Sequence, residues 1–216
     1  MRRAVQRAHA ALVRRQGGYL ARVAAGGARA LELYKGSASY AVNAWLRGGP
    51  RLRRLRQARG LPARFLRALA GALSRVADRA PPLGAPLRVW RVVSGRLART
   101  LARARPGERV SDPGFMSWTF DPRCALEYAA GGGGARTVLL EATLPAGARA
   151  LYVDGARGRR TGAWGGRWVH QAEVLLGRGA TLTLAAPAPG AGLWRRQAGR
   201  GRRLERLPAV PVAVEA

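Results

Sequence analysis

The hydrophobic pattern of this 216-residue chain changes its period once, near Pro81-Pro82. Before that point apolar residues recur every three or four positions, which is the spacing of a buried helical stripe. The stripe is clearest at Phe65, Leu66, Leu69, Leu73 and Val76. After that point short β-branched and aromatic runs alternate with glycine and proline, which is typical of strands. Helices followed mostly by strands predict an α+β fold, with an N-terminal helical half packed on a mixed, mostly antiparallel two-sheet core.

The first 80 residues predict helices separated by pairs of glycines. Two adjacent glycines favour a break because neither has a side chain that restricts the backbone. We expect a basic helix over 2–16 that ends at Gly17-Gly18, a helix over 19–34 interrupted at Gly26-Gly27, a helix from Ser37 or Ser39 to Arg47, and mostly helix over 51–80.

The remainder predicts strands, with one helix between them at 122–130. Strands are expected at 87–93, 114–120, 136–144, 149–153, 180–185 and 208–214, and a further strand carries Gln171 and Glu173 and breaks at Gly177. Residues 94–113 are expected to be a basic connection, and 194–206 a basic helix or a loop.

The chain carries a formal net charge of +28, and Lys35 is the one lysine among its 39 basic residues. A GC-rich coding sequence produces such an excess of arginine without selection, yet surface arginine at this density still attracts nucleic acid or anionic membrane. We interpret the charge as a general property of the surface and not as evidence that the protein recognises a nucleic-acid sequence. The hydrophobic content of 48% excludes a disordered tail.

Cysteine content and hydropathy bear on the compartment. Cys124 is the only cysteine, which excludes an internal disulfide and suits a reducing compartment or a cysteine-poor exported protein. No apolar run approaches ~18 residues and the N-terminus lacks the apolar core of a signal peptide, so we expect no membrane span. The Arg-rich first 31 residues, which contain no acid, also have the composition of an organelle presequence, and that alternative stays open.

Glu173 is the most informative acidic residue, in a chain with only 11 of them. It precedes Val174-Leu175-Leu176, a run without alternation that is typical of a strand buried on both faces. A carboxylate at the start of such a strand is costly unless it has partners or a task. Gln171 lies two residues earlier, so in an extended strand both side chains point to the same face.

Two other predicted strands carry polar groups that bear on the same site. Arg88 and Arg91 fall on opposite faces of the first strand, and the one that points inward must meet an anion. Ser117 and Thr119 share a face of the second strand. On the helix before them, Asn43 and Arg47 lie one turn apart, an arrangement that suits a phosphate or a carboxylate, or else an ordinary surface pair.

These motifs, in this order and after a helical half, resemble those of the mono-ADP-ribosyltransferases of the bacterial exotoxin type. The aromatic-Arg motif is W-R at 90–91, the Ser-x-Ser/Thr motif is S-W-T at 117–119, and the Gln/Glu-x-Glu motif is Q-A-E at 171–173. The resemblance covers about residues 30–185. It implies a basic helical extension over 1–29 and an ADP-ribosyltransferase catalytic domain over 30–216, which we expect to be monomeric.

The chain looks most like the Rho-modifying clostridial exoenzymes within that family. Their I-N-x-Y-L-R helix motif is matched by V-N-A-W-L-R at 42–47, which implies that Asn43 and Arg47 contact the diphosphate of NAD. Their glycine-arginine segment is matched at 134–137, which implies a phosphate role for Arg136. The aromatic residue of their recognition turn corresponds to Trp168.

The resemblance implies NAD as co-substrate and an enzyme that transfers a pentosyl group. Glu173 would hold a ribose hydroxyl, Ser117 would orient Glu173, Arg91 would clamp the diphosphate, and Thr119 would help to bind NAD. Breakage of the nicotinamide–ribose bond passes through an oxocarbenium-like state, as glycoside hydrolysis does, and it needs no metal.

The sequence leaves several candidates for the group that accepts ADP-ribose. Gln171 favours an amide or nucleobase acceptor over an arginine, because its amide can pair with both a donor and an acceptor. We favour a protein side chain; the alternatives are a nucleobase of DNA or RNA, water in an NAD glycohydrolase, and a non-enzymatic basic nucleic-acid-binding or packing protein. These residues do not define the biological setting: an exported effector or a virion-associated protein that acts in a reducing cytoplasm and an intracellular modifier all stay open.

Overall fold

The computed structural model describes residues 2–48, 60–131, 137–154, 172–186, 193–196, 204–207 and 209–215. The helices are α1 (Arg2–Ala21), α2 (Ala25–Leu33), a π-helical turn (Tyr34–Ala38), α3 (Ser39–Leu46), α4 (Ala63–Asp78), α5 (Gly95–Leu101) and α6 (Pro122–Gly131). The strands are β1 (Leu87–Ser94), β2 (Arg109–Ser111), β3 (Phe115–Thr119), β4 (Thr137–Leu144), β5 (Leu151–Tyr152), β6 (Glu173–Arg178), β7 (Thr181–Leu184), β8 (Leu193–Arg196), β9 (Leu204–Leu207) and β10 (Ala209–Glu215). The α+β prediction is confirmed.

Eight strands form one continuous mixed sheet in the order β2-β7-β10-β4-β1-β3-β6-β5. β10 joins the β2-β7 part of the sheet to the β4-β1-β3-β6-β5 part. The first residues of β10 pair in parallel with β4, and its last residues pair antiparallel with β7. The pairs β1–β4, β1–β3, β3–β6 and β5–β6 are all antiparallel. β1, β3 and β6 are therefore neighbours, which brings the three motif-bearing strands side by side.

The helical half packs on one face of this sheet. The apolar stripe of α4, with Leu66, Leu69 and Leu73 buried, forms a cluster with Phe115 of β3 and Leu175 of β6. Because side chains alternate along a strand, the residues two positions from Phe115 and Leu175 face the helices as well. Those positions include Ser117 on β3 and Glu173 on β6, so both side chains lie between the helical half and the sheet.

Two predicted breaks in the helical half are wrong. α1 continues through Gly17-Gly18 to Ala21. A glycine inside a helix costs only about 1 kcal/mol, and contacts hold α1 on either side of the pair: Leu12 lies in the core, and the Tyr19 hydroxyl donates to Val76 O at 2.6 Å. The chain breaks instead at residues 22–24.

α2 also continues through Gly26-Gly27, where an interruption was expected. A Cβ atom on Gly27 would lie 2.8 Å from Cγ2 of Val76, which belongs to α4. Glycine at this position therefore lets α2 approach α4 closely, and the packing outweighs the conformational cost of the residue.

Two further differences concern the strand half. The expected basic connection after β1 contains the helix α5 and the strand β2. The segments within 194–206 that the structure describes are strands and not helix, because β8 and β9 pair antiparallel with Leu193 opposite Leu207. Basic residues alone have no period, so that expectation had no support from patterning. In the described part of the chain no helix has the length and apolar character that a membrane crossing requires.

α1 is tied to the sheet by the buried side chain of Gln16. Its Nε2 donates to Ala150 O at 2.7 Å and to Pro81 O at 3.2 Å, and its Oε1 accepts from the Tyr152 backbone N–H at 2.8 Å. The division of the chain at residues 29 and 30 stays a prediction, which this anchor allows us to test.

We expect Gln16→Leu to lower the free energy of unfolding by about 2–4 kcal/mol, because each buried backbone group that it leaves unpaired costs about 1–3 kcal/mol. The matched control is Gln6→Leu on the exposed side of the same helix, with an expected change within about 0.5 kcal/mol. Urea unfolding followed by circular dichroism measures both. A Gln16→Leu variant as stable as the wild type would show that the hydrogen bonds of Gln16 do not anchor α1 to the sheet.

Candidate active site

Glu173 begins β6 and is 8% exposed. Backbone contacts fix its position from two sides, because Glu173 O accepts from Val153 N at 3.0 Å and the preceding carbonyl of Ala172 accepts from Phe120 N at 3.0 Å. Ala172 has a φ of 48°, in the left-handed region that residues with a Cβ seldom adopt. The expected extended backbone from Gln171 to Glu173 is therefore wrong at Ala172, so alternation does not show where Gln171 points.

The carboxylate of Glu173 lies in a buried group of charges. Its Oε2 is 2.5 Å from Nζ of Lys35, and the same Nζ is 3.0 Å from Oδ1 of Asp154. Asp154 also accepts a hydrogen bond from the Glu173 backbone N–H, at 3.1 Å from Oδ2. The carboxylate of Glu173 was expected to need partners, and its partner is Lys35, which none of the sequence motifs indicated.

Ser117, on the neighbouring strand, is linked to the helical half through Tyr34. The two hydroxyl oxygens are 3.0 Å apart, and Nδ2 of Asn43 donates to the Tyr34 hydroxyl at 3.3 Å. Burial, followed by the charge of Glu173, raises the pKa of Tyr34 to about 12. The phenol therefore keeps its proton at neutral pH. The described partner of the Ser117 hydroxyl is Tyr34, and the orienting role of Ser117 toward Glu173 stays a prediction.

Arg91 is the arginine of β1 that points inward. Its side chain is 12% exposed, whereas that of Arg88 is 60% exposed and pairs with Glu141. Nη1 of Arg91 donates to Ser117 O at 3.1 Å, and Nη2 is 3.7 Å from Oδ2 of Asp112. Burial lowers the pKa of Arg91 and Asp112 opposes this effect. The expectation that the inward arginine meets an anion is confirmed, and the anion is Asp112.

Arg47 binds the same aspartate with both arms of its fork. Nε lies 2.8 Å from Oδ1 and Nη2 lies 2.7 Å from Oδ2 of Asp112. Burial raises the pKa of Asp112, but the hydrogen bonds and charge of Arg47, with the Gly114 N–H and Arg91, bring it below the ordinary value. Asp112 is 2% exposed and ionised, and two guanidinium groups converge on it.

Asn43 and Thr119 have mainly structural contacts. Oδ1 of Asn43 accepts from the Phe115 backbone N–H at 2.8 Å, so the α3 motif is joined directly to β3. Thr119 is the cross-strand partner of Glu173, and its hydroxyl accepts from Asp121 N at 3.1 Å at the start of α6. Arg136, Trp168 and Gln171 lie outside the described residues. Within the described part of the chain no cluster of His, Cys, Asp or Glu could hold a metal ion.

Sequence patterning did not identify Tyr34, Lys35, Asp112 or Asp154. Two weak signals were present. Lys35 is the one lysine in an arginine-rich chain, and Asp112 is an acidic residue just before a strand in a chain with only 11 acids. Neither signal predicts which residue is the partner, because Asp112 contacts Arg47, 65 positions away, and Lys35 contacts Glu173, 138 positions away.

The structure thus defines a class: an α+β fold with a helical half over a sheet, in which three neighbouring strands and one helix supply a buried charged site. No protein-family model matches the sequence, and no curated protein matches it significantly. Solved structures do match its fold.

Three of the similar solved structures are bacterial toxins. Plx2a, an ADP-ribosyltransferase toxin from Paenibacillus larvae, has 16% identity and a TM-score of 0.61 over 99% of this chain and 97% of its own. The C3 exoenzyme of Clostridium limosum has 15% identity and a TM-score of 0.57 over 98% and 95%. BECa, an ADP-ribosylating component of a C. perfringens binary enterotoxin solved with NADH, has 15% identity and a TM-score of 0.64 over 92% of this chain and 45% of its own. The fold is that of bacterial ADP-ribosyltransferase toxins.

We expect Gly114→Ala to disrupt the contacts around Asp112. The new Cβ would lie 2.8 Å from Oδ1 of Asn43 and 3.2 Å from both Nη2 of Arg47 and Oδ1 of Asp112. Such crowding costs about 1–3 kcal/mol of stability.

The matched control is Gly71→Ala in α4, where the nearest atom is Nη1 of Arg75 at 3.5 Å. There alanine should raise stability by up to about 1 kcal/mol, because it favours the helix. Thermal unfolding measures both variants, and equal behaviour of the two would show that the Asp112 contacts are not tightly packed.

Proposed function

We propose that this protein is an NAD-dependent mono-ADP-ribosyltransferase that breaks the nicotinamide–ribose bond and transfers ADP-ribose to a macromolecule. The observation that carries the proposal is the convergence of Arg91, Ser117 and Glu173 on neighbouring strands under α3 and the π-helical turn. The toxin fold supports it, as does the order of the motifs along the chain.

Glu173 is the proposed catalytic residue. Its carboxylate would accept a hydrogen bond from a hydroxyl of the nicotinamide ribose, and its charge would stabilise the oxocarbenium-like state as nicotinamide leaves. Nicotinamide departs as a neutral molecule, so no strong general acid is needed. A buried carboxylate suits this task because an electrostatic interaction is stronger where water is excluded.

Arg47 and Arg91 are the proposed partners of the NAD diphosphate, and Asn43 and Arg136 are proposed to contribute to the same contact. Two guanidinium groups face a single carboxylate at Asp112, which leaves one positive charge in excess. The side chain of Arg47 is 38% exposed, so a diphosphate can reach it from solvent. Arginine forks bind phosphate oxygens in pairs, which suits this role. Ser117 and Thr119 would complete the NAD contacts.

The proposed acceptor is a protein side chain other than arginine, chosen by Gln171 and Trp168. A second candidate is a nucleobase, favoured by the net charge of +28, which would concentrate any polyanion at the surface of the enzyme. Incubation with labelled NAD and separate pools of protein, DNA and RNA distinguishes the two. Free ADP-ribose alone would indicate a glycohydrolase, and no product would indicate a binding protein.

We expect Glu173→Gln to lower the rate of nicotinamide release by at least about 100-fold, because it removes the charge opposite the developing cation. NAD affinity, measured by calorimetry, should change little, since the diphosphate contacts remain. The control is Glu215→Gln, an exposed carboxylate that pairs with Arg109 at the far part of the sheet, which should leave the rate unchanged. Full activity in Glu173→Gln would remove this mechanism.

We expect Gln171→Glu to keep NAD hydrolysis and to impair transfer to the acceptor by at least about tenfold, because a carboxylate cannot donate to an amide or base carbonyl. The ratio of labelled acceptor to free ADP-ribose measures the effect. An unchanged ratio would mean that Gln171 does not choose the acceptor.

A further inference from the structure

Lys35 is the least exposed of the basic side chains in the described part of the site. It belongs to the π-helical turn between α2 and α3, where Gly36 departs from helical geometry with φ −89° and ψ −151°. Its side chain is 5% exposed, and those of Asp154 and Glu173 are 7% and 10% exposed. A buried lysine is rare unless it is paired, and here its ammonium lies between two carboxylates.

Asp154 connects the lysine to the backbone of Glu173. One carboxylate oxygen faces Nζ of Lys35 at 3.0 Å, and the other accepts from the Glu173 N–H at 3.1 Å. Lys35 in turn holds Oε2 of Glu173 at 2.5 Å. Asp154 thus holds the main chain of Glu173, Lys35 holds its side chain, and Lys35 and Asp154 contact each other. We name Lys35 and Asp154 the Glu173 clamp.

The backbone at Ala172 explains why such a clamp is needed. A strand residue is ordinarily aligned by pairing on both sides of it, but the φ of 48° at Ala172 ends the extended chain just before Glu173. The Ala172 carbonyl still accepts from Phe120 N at 3.0 Å, and Glu173 lies opposite Thr119 of β3. The N–H of Glu173, which directly follows the left-handed residue, donates to the carboxylate of Asp154.

The charges of the clamp also suit an ammonium better than a guanidinium. Two carboxylates close together repel each other unless a cation lies between them. Lysine is a compact point charge with three donors that can turn toward separate acceptors, whereas the planar fork of arginine matches a single carboxylate. Lys35 is the one lysine among the 39 lysine and arginine residues of the chain, and it lies at a position where the geometry suits an ammonium.

We propose that Lys35, held by Asp154, is a positioning residue that fixes one carboxylate oxygen of Glu173 and so aims the other at the ribose hydroxyl. This inference rests on the proposed function. Lys35 does not itself touch the diphosphate contacts, which lie at Arg47 and Arg91. Its loss therefore affects the chemical step and leaves NAD binding in place.

The kinetic test compares Lys35→Met with Lys35→Arg in the full chain. Lys35→Met should lower kcat for nicotinamide release by about 10- to 100-fold, since a small misplacement of a catalytic group has effects of this size, and should change KM for NAD by less than about threefold. Lys35→Arg keeps the charge and should recover part of kcat. A rise in KM at constant kcat would overturn the proposal, and so would an unchanged kcat in Lys35→Met.

Asp154→Asn provides a second variant if Lys35→Met fails to fold. It keeps the size of the side chain and weakens both arms of the clamp, so it should lower kcat with little change in KM, as Lys35→Met does. A kcat equal to that of the wild type in Asp154→Asn would overturn the clamp.

A double-mutant cycle of Lys35→Met and Asp154→Asn on unfolding stability separates the clamp from the proposed function. The double variant should lose less stability than the sum of the two single variants, because both remove the same contact. Strict additivity would overturn the clamp even in an active enzyme. A wild type that binds NAD but releases no nicotinamide would overturn the proposed function and the catalytic part of this inference, while coupling in the cycle would still support the contact.

Discussion

Polar contacts buried between the helical half and the sheet determine both the fold and the site of this protein. One segment, residues 34–47, supplies four of them: Tyr34 reaches Ser117, Lys35 reaches Glu173, Asn43 reaches the backbone of Phe115, and Arg47 reaches Asp112. A buried polar group costs free energy unless it is paired, so the segment docks in only one register. The contacts that place the helices on the sheet are thus the same contacts that arrange the charged side chains.

The charges of the site are balanced in number and separated in space. At one end Arg47 and Arg91 face Asp112, which leaves one positive charge in excess. At the other end Lys35 faces Asp154 and Glu173, which leaves one negative charge in excess. NAD has a negative diphosphate and develops positive charge on its nicotinamide ribose as the bond breaks. In the proposed enzyme, a site with this polarity, fixed before the substrate arrives, would stabilise the transition state without reorganisation.

The sequence predicts the parts of this arrangement that depend on local pattern. The change of period near residue 81 separated the helices from the strands, and the order of Arg91, Ser117 and Glu173 placed one polar group on each of three strands. The partners Tyr34, Lys35, Asp112 and Asp154 were not predicted, because tertiary packing brings them to the site from segments 19 to 138 residues apart. The wrong helix ends at Gly17 and Gly26 have the same cause: packing against α4 and the sheet outweighed the weak preference of glycine for a break.

The left-handed backbone at Ala172 lies between the two polar residues of the Q-A-E motif. Glu173 takes its position from the pairing of β6 with β3 and β5 and from the Glu173 clamp. β6 begins at Glu173, and the backbone leaves the extended region at Ala172. In the proposed function Gln171 would choose the acceptor, and Glu173, held by contacts that do not involve Gln171, would act on the nicotinamide–ribose bond. In the proposed enzyme the choice of acceptor and the cleavage of NAD would then be separable by substitution, although the two residues stand only one position apart.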